Sequence, residues 1–146
     1  MEKQYQELIK NSIYFGAASD VQHMVDHEKI SVVVDLREEA VCCAASHPDL
    51  NWRHIPISDD ATQPQTDSFQ QAIRAVVSAY QNGEKVAFHC GGGKGRTGAI
   101  AAGVLLELGF YQTLDEAEAA AKDIRPVINI KPNQRETLLL LYPNQK

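Results

Sequence analysis

The run Val86-Ala87-Phe88-His89-Cys90-Gly91-Gly92-Gly93-Lys94-Gly95-Arg96-Thr97-Gly98 carries five of the chain's nine glycines. They stand between two apolar segments. Lys85–His89 has the composition of a buried strand, and a helix is predicted from about Thr97 to Leu108, stopped by Gly109. A strand, a glycine-rich turn and a helix start, in that order, aim backbone N–H groups into one concave site. The helix N-terminus adds positive partial charge there, so the site suits a dianion. Gly91, Gly92, Gly93 and Gly95 let the backbone take positive φ and approach an anion's oxygens closely. Arg96 would close the ring with a planar fork that grips two oxygens, which a lysine does less well. The same field favours the thiolate of Cys90, the nucleophilic form of cysteine. Thr97 can hydrogen-bond that sulfur, and His89 can hold the loop through its ring nitrogens. A cysteine, five residues, an arginine and a threonine are together what sulfur needs to attack a phosphate ester. A nucleotide-binding Walker A loop would require Ser or Thr after Gly93-Lys94, where Gly95 stands.

Outward from this unit, strands and helices alternate. Ser12–Phe15 reads as a short strand closed by Gly16. Ser19 to Lys29 reads as a helix, with Ser19 and Gln22 at capping-box spacing and Val21, Met24 and Val25 on one face. Ile30–Asp35 is β-branched and apolar on both faces, as expected of a covered, mostly parallel sheet. A strand at Trp52–Ile57 runs into the polar stretch Ser58–Thr66. Asp67 is expected to cap a helix carrying Phe69, Ala72, Ile73, Val76, Val77 and Tyr80, ended by Asn82-Gly83. Thr113 and Glu116 form a second capping box for a helix reaching Ile124, and Pro132 suits the first turn of a last helix with Leu138 to Leu141. The expected fold is α/β: a single domain over residues 1–146, with a mostly parallel central sheet and helices on both faces.

Composition narrows the function classes. With 146 residues, 44% of them apolar, the chain can bury one ordinary core and has no low-complexity linker. Lys plus Arg number 14 against 19 Asp plus Glu, a net charge of −5, and no basic block exists to neutralise nucleic-acid phosphates. The longest apolar run, Ala99 to Leu106, falls short of the roughly 20 residues of a membrane span. No apolar signal segment is seen near residue 1. Three cysteines, an odd number in a chain that needs no staples, make a reducing, cytoplasmic setting the default. A monomer with no nucleic-acid or membrane partner and no cofactor or metal is expected.

HCGGGKGRTG (residues 89–98) resembles the H-C-x-x-G-x-x-R-[ST] signature of the cysteine-dependent protein tyrosine phosphatase superfamily at every fixed position. Weaker likenesses to its small dual-specificity members extend along the chain: Ser12–Gly16 as entry strand, Val34–Arg37 as the next strand end, Ile124-Arg125-Pro126 as the turn before the last helix. The resemblance implies phosphomonoester hydrolysis on phosphotyrosine, with phosphoserine/threonine as a further substrate class, through a phosphocysteine on Cys90. It makes the Gly91–Arg96 backbone the phosphate cradle and an Asp on the preceding loop the general acid. Pro56-Ile57-Ser58-Asp59 places that acid at Asp59, with Asp60 the rival and solvated turn chemistry the bland alternative. Gln134 falls where the family often positions the hydrolytic water, although it serves equally as a polar first-turn residue. Arg125 and Lys131 either draw phosphate in or are surface charges. Asp35 is read as a structural acceptor, Trp52 as core, and Cys42-Cys43 as a small buried pair, the alternative being a protective disulfide with Cys90 under oxidation.

The larger tyrosine-specific members carry a pocket-deepening tyrosine loop with no counterpart in this sequence. Lys94 also resembles a loop lysine of the tensin-type phosphoinositide phosphatases, so an inositol phosphate or phosphoinositide is the alternative substrate. Gly91 stands where their second loop lysine would be. A phospho-binding pseudophosphatase would be expected to lack the cysteine or arginine. A rhodanese-type sulfurtransferase lacks the upstream Asp loop, and arsenate reduction needs resolving cysteines at a spacing not seen here.

Overall fold

In the computed structural model, which describes residues 4–47, 49–59 and 62–143, β-branched and aromatic runs pair into a five-stranded sheet. Its strands are Gln6–Ile9 (β1), Ile13–Ala17 (β2), Val32–Arg37 (β3), Asn51–Ile57 (β4) and Val86–Cys90 (β5). Their spatial order is β1-β2-β5-β3-β4, with β1 antiparallel to β2 and every other pair parallel. The helices are Val21–Glu28 (α1), Thr66–Gln81 (α2), Arg96–Glu107 (α3), Leu114–Ile124 (α4) and Pro132–Leu141 (α5).

Strand alternation sorts side chains between two cores. Tyr14, Val33 and Ala87 face one way and pack with Val21, Met24 and Val25 of α1. Ile13, Phe15, Val32, Val34, Val86 and Phe88 face the other way, into the larger core with residues of α2, α3, α4 and α5. Helices therefore cover both faces, as expected of the strand–helix alternation. Nearly all of α3 is buried, and glycine allows it: a Cβ on Gly103 would come within 2.4 Å of Ile73 Cδ1, and one on Gly98 within 2.5 Å of Ile128 Cγ2.

Several local expectations are corrected. β1 was not expected, because an edge strand that buries only Leu8 has no apolar run to betray it. Ser19 does not cap a helix. It lies within a 3-10 turn, Ala18–Asp20, in which Asp20 Oδ2 accepts from Ala17 N at 2.9 Å. Gln22 instead reaches across sequence, its Oε1 accepting from Ser46 N. Asp67 lies inside the first turn of α2 rather than at its cap, which is Gln65. There its charge still complements the helix dipole. Cys42 is exposed and Cys43 half-buried, so they are not a buried pair, and Cys42, Cys43 and Cys90 are all free thiols. Trp52 is only partly buried, its indole Nε1 donating to Asp35. The Thr113–Glu116 capping box forms as expected, and both Gly83 and Gly109 take positive φ at helix ends. Among the described residues no helix is long and apolar enough to cross a membrane, and no group of three or more His, Cys, Asp or Glu is placed to hold a metal ion.

Candidate active site

Parallel strands direct their carboxyl ends to one edge of the sheet, where loops can converge. β5 lies centrally there, with Cys90 beside Ala17 of β2 and His89 beside Asp35 of β3. The chain then curls through Gly91–Gly95 into α3, and buried Cys90 sits at the base of the curl. Its Sγ accepts from Thr97 Oγ1 at 3.0 Å and from Gly93 N at 3.3 Å. Gly93 takes φ +70°, and a Cβ there would lie 2.5 Å from Arg125 Nη2 and 2.8 Å from the Gly16 backbone. Only glycine fits that position.

Arg96, the first residue of α3, is 6% exposed and turns back under the loop. Its Nη1 and Nη2 donate to the two carboxylate oxygens of Glu39 at 3.0 and 3.1 Å, and Nη1 also donates to Ile57 O at 3.1 Å. Its Nε has no hydrogen-bond partner among the described residues and lies 3.9 Å from Asp59 Oδ1. The Arg96 bonds push the Glu39 carboxyl down to about 2, although its side chain is 59% exposed.

His89 supports the loop from behind. Its Nδ1 donates to Cys90 O at 3.0 Å, while Nε2 lies 3.7 Å from Asp35 Oδ1. Burial pushes the His89 pKa down, outweighing the pull of Asp35. Asp35 accepts from Arg37 and from Trp52 Nε1, the structural role expected of it. Burial works against its ionisation, but the Arg37 bonds, with His89 and Trp52, hold its carboxyl below the ordinary carboxylate range.

Asp59 approaches from the loop after β4. Lys131 Nζ donates to its Oδ2 at 2.9 Å and to its backbone oxygen at 3.1 Å, and Gln134 Nε2 lies 3.3 Å from its Oδ1. Gln134 is fully buried at the start of α5, its Oε1 accepting from Lys131 N. A Cβ on Gly95 would meet both Gln134 and Asp59 Oδ1, at 3.2 and 3.3 Å. The structure thus gathers Cys90, Thr97, Arg96, His89, Asp59 and Gln134 around one loop. Gly92 and Lys94 lie on its exposed side, and the rival Asp60 lies outside the described residues.

Three further residues belong to this assembly: Glu39, which was not named from sequence, and Lys131 and Arg125, which the sequence left between phosphate attraction and surface charge. Glu39 anchors Arg96, Lys131 pairs with Asp59, and buried Arg125 donates to Gly93 O at 2.8 Å rather than lying on the surface. For Glu39 a signal existed: it follows the carboxyl end of parallel strand β3 by two residues.

Comparison with known proteins agrees with this geometry. The family model described as "Tc-R-P: Polymorphic toxin system, DSP-PTPase phosphatase" matches residues 5–110. Tyrosine-protein phosphatase CDC14 of Candida albicans is 38% identical over 86 residues, covering 58% of this chain and 16% of the relative. The human phosphatidylglycerophosphatase and protein-tyrosine phosphatase 1 is 23% identical over 124 residues, covering 80% of this chain and 61% of the relative. The chain therefore spans less than two thirds of the length of either curated relative. The crystal structure of human DUSP28 superposes with a TM-score of 0.83 at 16% identity, covering 98% of this chain and 95% of that one. That likeness supports the fold, and the match over residues 5–110 makes the chain a member of the DSP-PTPase phosphatase family of polymorphic toxin systems.

Proposed function

We propose that this chain hydrolyses phosphate monoesters through a phosphocysteine on Cys90, with phosphotyrosine, and also phosphoserine/threonine, of proteins as the substrate class. One observation carries the proposal. Cys90 Sγ receives two hydrogen bonds inside a glycine loop closed by a buried arginine whose Nε hydrogen is unused. Those two donors fix the sulfur at the base of the loop, and an unpaired buried N–H is costly unless a ligand oxygen takes it.

In the first step the Cys90 thiolate attacks phosphorus in line. An S–P bond forms as the ester P–O bond breaks, while Arg96 and the loop amides hold the equatorial oxygens. Asp59 gives its proton to the leaving oxygen. In the second step Asp59, now a base, takes a proton from water. The water oxygen bonds phosphorus and the S–P bond breaks, restoring the thiolate, which Thr97 Oγ1 stabilises. Gln134, against both Gly95 and Asp59, is proposed to position that water. His89 holds the Cys90 carbonyl from behind. The positive charge that a metal supplies in other phosphoryl transfers comes here from Arg96 and the loop. We take the single domain as the catalytic unit, acting as a monomer in a reducing compartment such as the cytoplasm, where a catalytic thiol survives.

A soluble or lipid inositol phosphate is the second reading, favoured by exposed Lys94 in the loop and by the phosphatidylglycerophosphatase named among the relatives. The net charge of −5 works against an anionic membrane surface. A panel of phosphotyrosine and phosphothreonine peptides, soluble inositol phosphates and phosphoinositide vesicles, assayed with a chelator present, separates the two. The highest kcat/KM is expected on phosphotyrosine peptides. A preference for inositol phosphates reverses the substrate assignment, and inactivity on the whole panel removes the phosphatase proposal.

A further inference from the structure

Three loop carbonyls are held by donors outside the loop. Gly91 O accepts from Ala18 N at 3.1 Å, Gly93 O from Arg125 Nε at 2.8 Å, and Lys94 O from Asn129 N at 3.0 Å. No described peptide bond is cis. In a planar trans peptide the carbonyl of one residue and the N–H of the next point opposite ways. Turning these carbonyls outward therefore turns the N–H groups of Gly92, Lys94 and Gly95 inward, on the side where Gly93 N already meets Cys90 Sγ. Two of the three holders are backbone amides, and Arg125 is the one side chain among them.

Local sequence explains how Arg125 comes to be there. Pro126 disfavours helical backbone in the residue before it. Arg125 accordingly leaves the end of α4 with extended angles, φ −130° and ψ 92°. Its side chain then lies buried between the loop and β1, where Nη1 donates to Gln4 O at 2.7 Å and to Gln6 Oε1 at 2.8 Å. The guanidinium is thus fixed at both ends, and Nη2 lies against Gly93, where any Cβ would strike it.

We infer that Arg125 is a positioning residue for phosphate binding: by holding the Gly93 carbonyl out of the loop it presents the Lys94 N–H to the phosphate oxygens. This rests on the phosphate chemistry proposed above. It assigns to Arg125 a role in orienting a donor, distinct from the direct grip of Arg96, and it predicts a local effect. Loss of Arg125 should release the Lys94 amide and leave the Gly92 amide, held by Ala18, in place.

Tungstate, a phosphate-shaped anion, is the probe, read by amide NMR of the full chain alongside hydrolysis of a phosphotyrosine peptide. In the parent protein the Gly92, Lys94 and Gly95 amide signals should all move on titration. In Arg125→Met the affinity for tungstate should fall about tenfold, the worth of one hydrogen bond to a charged group, and the Lys94 signal should stop responding while Gly92 still does. Arg125→Lys, which keeps one donor able to reach Gly93 O, should recover part of the loss. It also serves if the methionine variant does not fold. Unchanged affinity with a responding Lys94 amide overturns the inference, as does equal loss of the Gly92 and Lys94 responses. If neither variant folds, the parent spectrum decides: a bound anion that leaves the Lys94 amide unmoved overturns it. Failure of the parent to bind tungstate and to hydrolyse the peptide overturns the phosphate chemistry itself.

Discussion

Arg96 has two working edges, and the structure uses them differently. The Nη1 and Nη2 end is filled by Glu39 and Ile57 O, which leaves the Nε side open toward Asp59 and the loop. A lysine offers no second edge, so it cannot be anchored by Glu39 and grip two oxygens together. Arg96→Lys should therefore lower both affinity and rate by at least about tenfold, measured as KM and kcat on a phosphotyrosine peptide. Activity within a few-fold of the parent would reduce Arg96 to a structural residue. Asp59 is tested separately. Asp59→Asn should reduce the rate by about 10²–10⁴ and remove the alkaline limb of the pH–rate profile, since that limb reports loss of the donor's proton. The penalty should shrink for leaving groups of low pKa, which need no proton. A larger defect with the same pH signature in Asp60→Asn moves the acid by one residue. Of these side chains, Cys90, Arg96, Thr97 and His89 are legible because they are contiguous in sequence, and Asp59 because it follows a strand. Glu39 and Arg125 were not legible as partners, because their contacts with the loop span 57 and 32 residues and depend on folded geometry.

Among the elements, the glycine loop is the least tolerant of change. Gly93→Ala asks a non-glycine residue to hold φ +70° and puts its Cβ 2.8 Å from the fixed Gly16 backbone. The expected cost is about 1–3 kcal/mol, seen in denaturant melts, together with a fall of tenfold or more in kcat/KM as the Gly93 N–H leaves Cys90 Sγ. An alanine variant with parental stability and rate would show that the loop has another conformation open to it. The helices with strong apolar periodicity, α2 above all, could be read to within a residue or two, because burying one face dictates the spacing. Their caps were less readable. Gln65 precedes α2 without a side-chain cap bond, and Asp20 bonds outside the helix it precedes. Edge strand β1 escaped detection because its register comes from β2 rather than from its own composition.

Over the whole molecule, the acid side of stability should carry the mark of His89. Burial holds its folded pKa below the ordinary value of 6.5. Below about pH 6.5 the unfolded chain binds a proton that the native state refuses, so stability falls as pH drops through that window. Glu39 acts at lower pH: its contribution is present above the ordinary 4.5 and lost as pH falls toward about 2. Urea melts from about pH 7.5 to 5 should show the His89 slope, and His89→Asn should flatten it. An equal slope in that variant would place the titrating group elsewhere. The α/β class, the parallel sheet and the position of the loop at its carboxyl edge were readable because alternation and covered strands leave a strong sequence signal. The central claim concerns one bond on the intact chain. Rapid acid quench during turnover of a phosphomonoester, followed by intact-protein and peptide mass spectrometry, should find one phosphoryl group on Cys90, while Cys90→Ser should bind the ester without turnover or label. Substantial turnover by Cys90→Ser, or a parent chain that turns over without ever carrying the phosphoryl group on Cys90, would contradict the covalent mechanism.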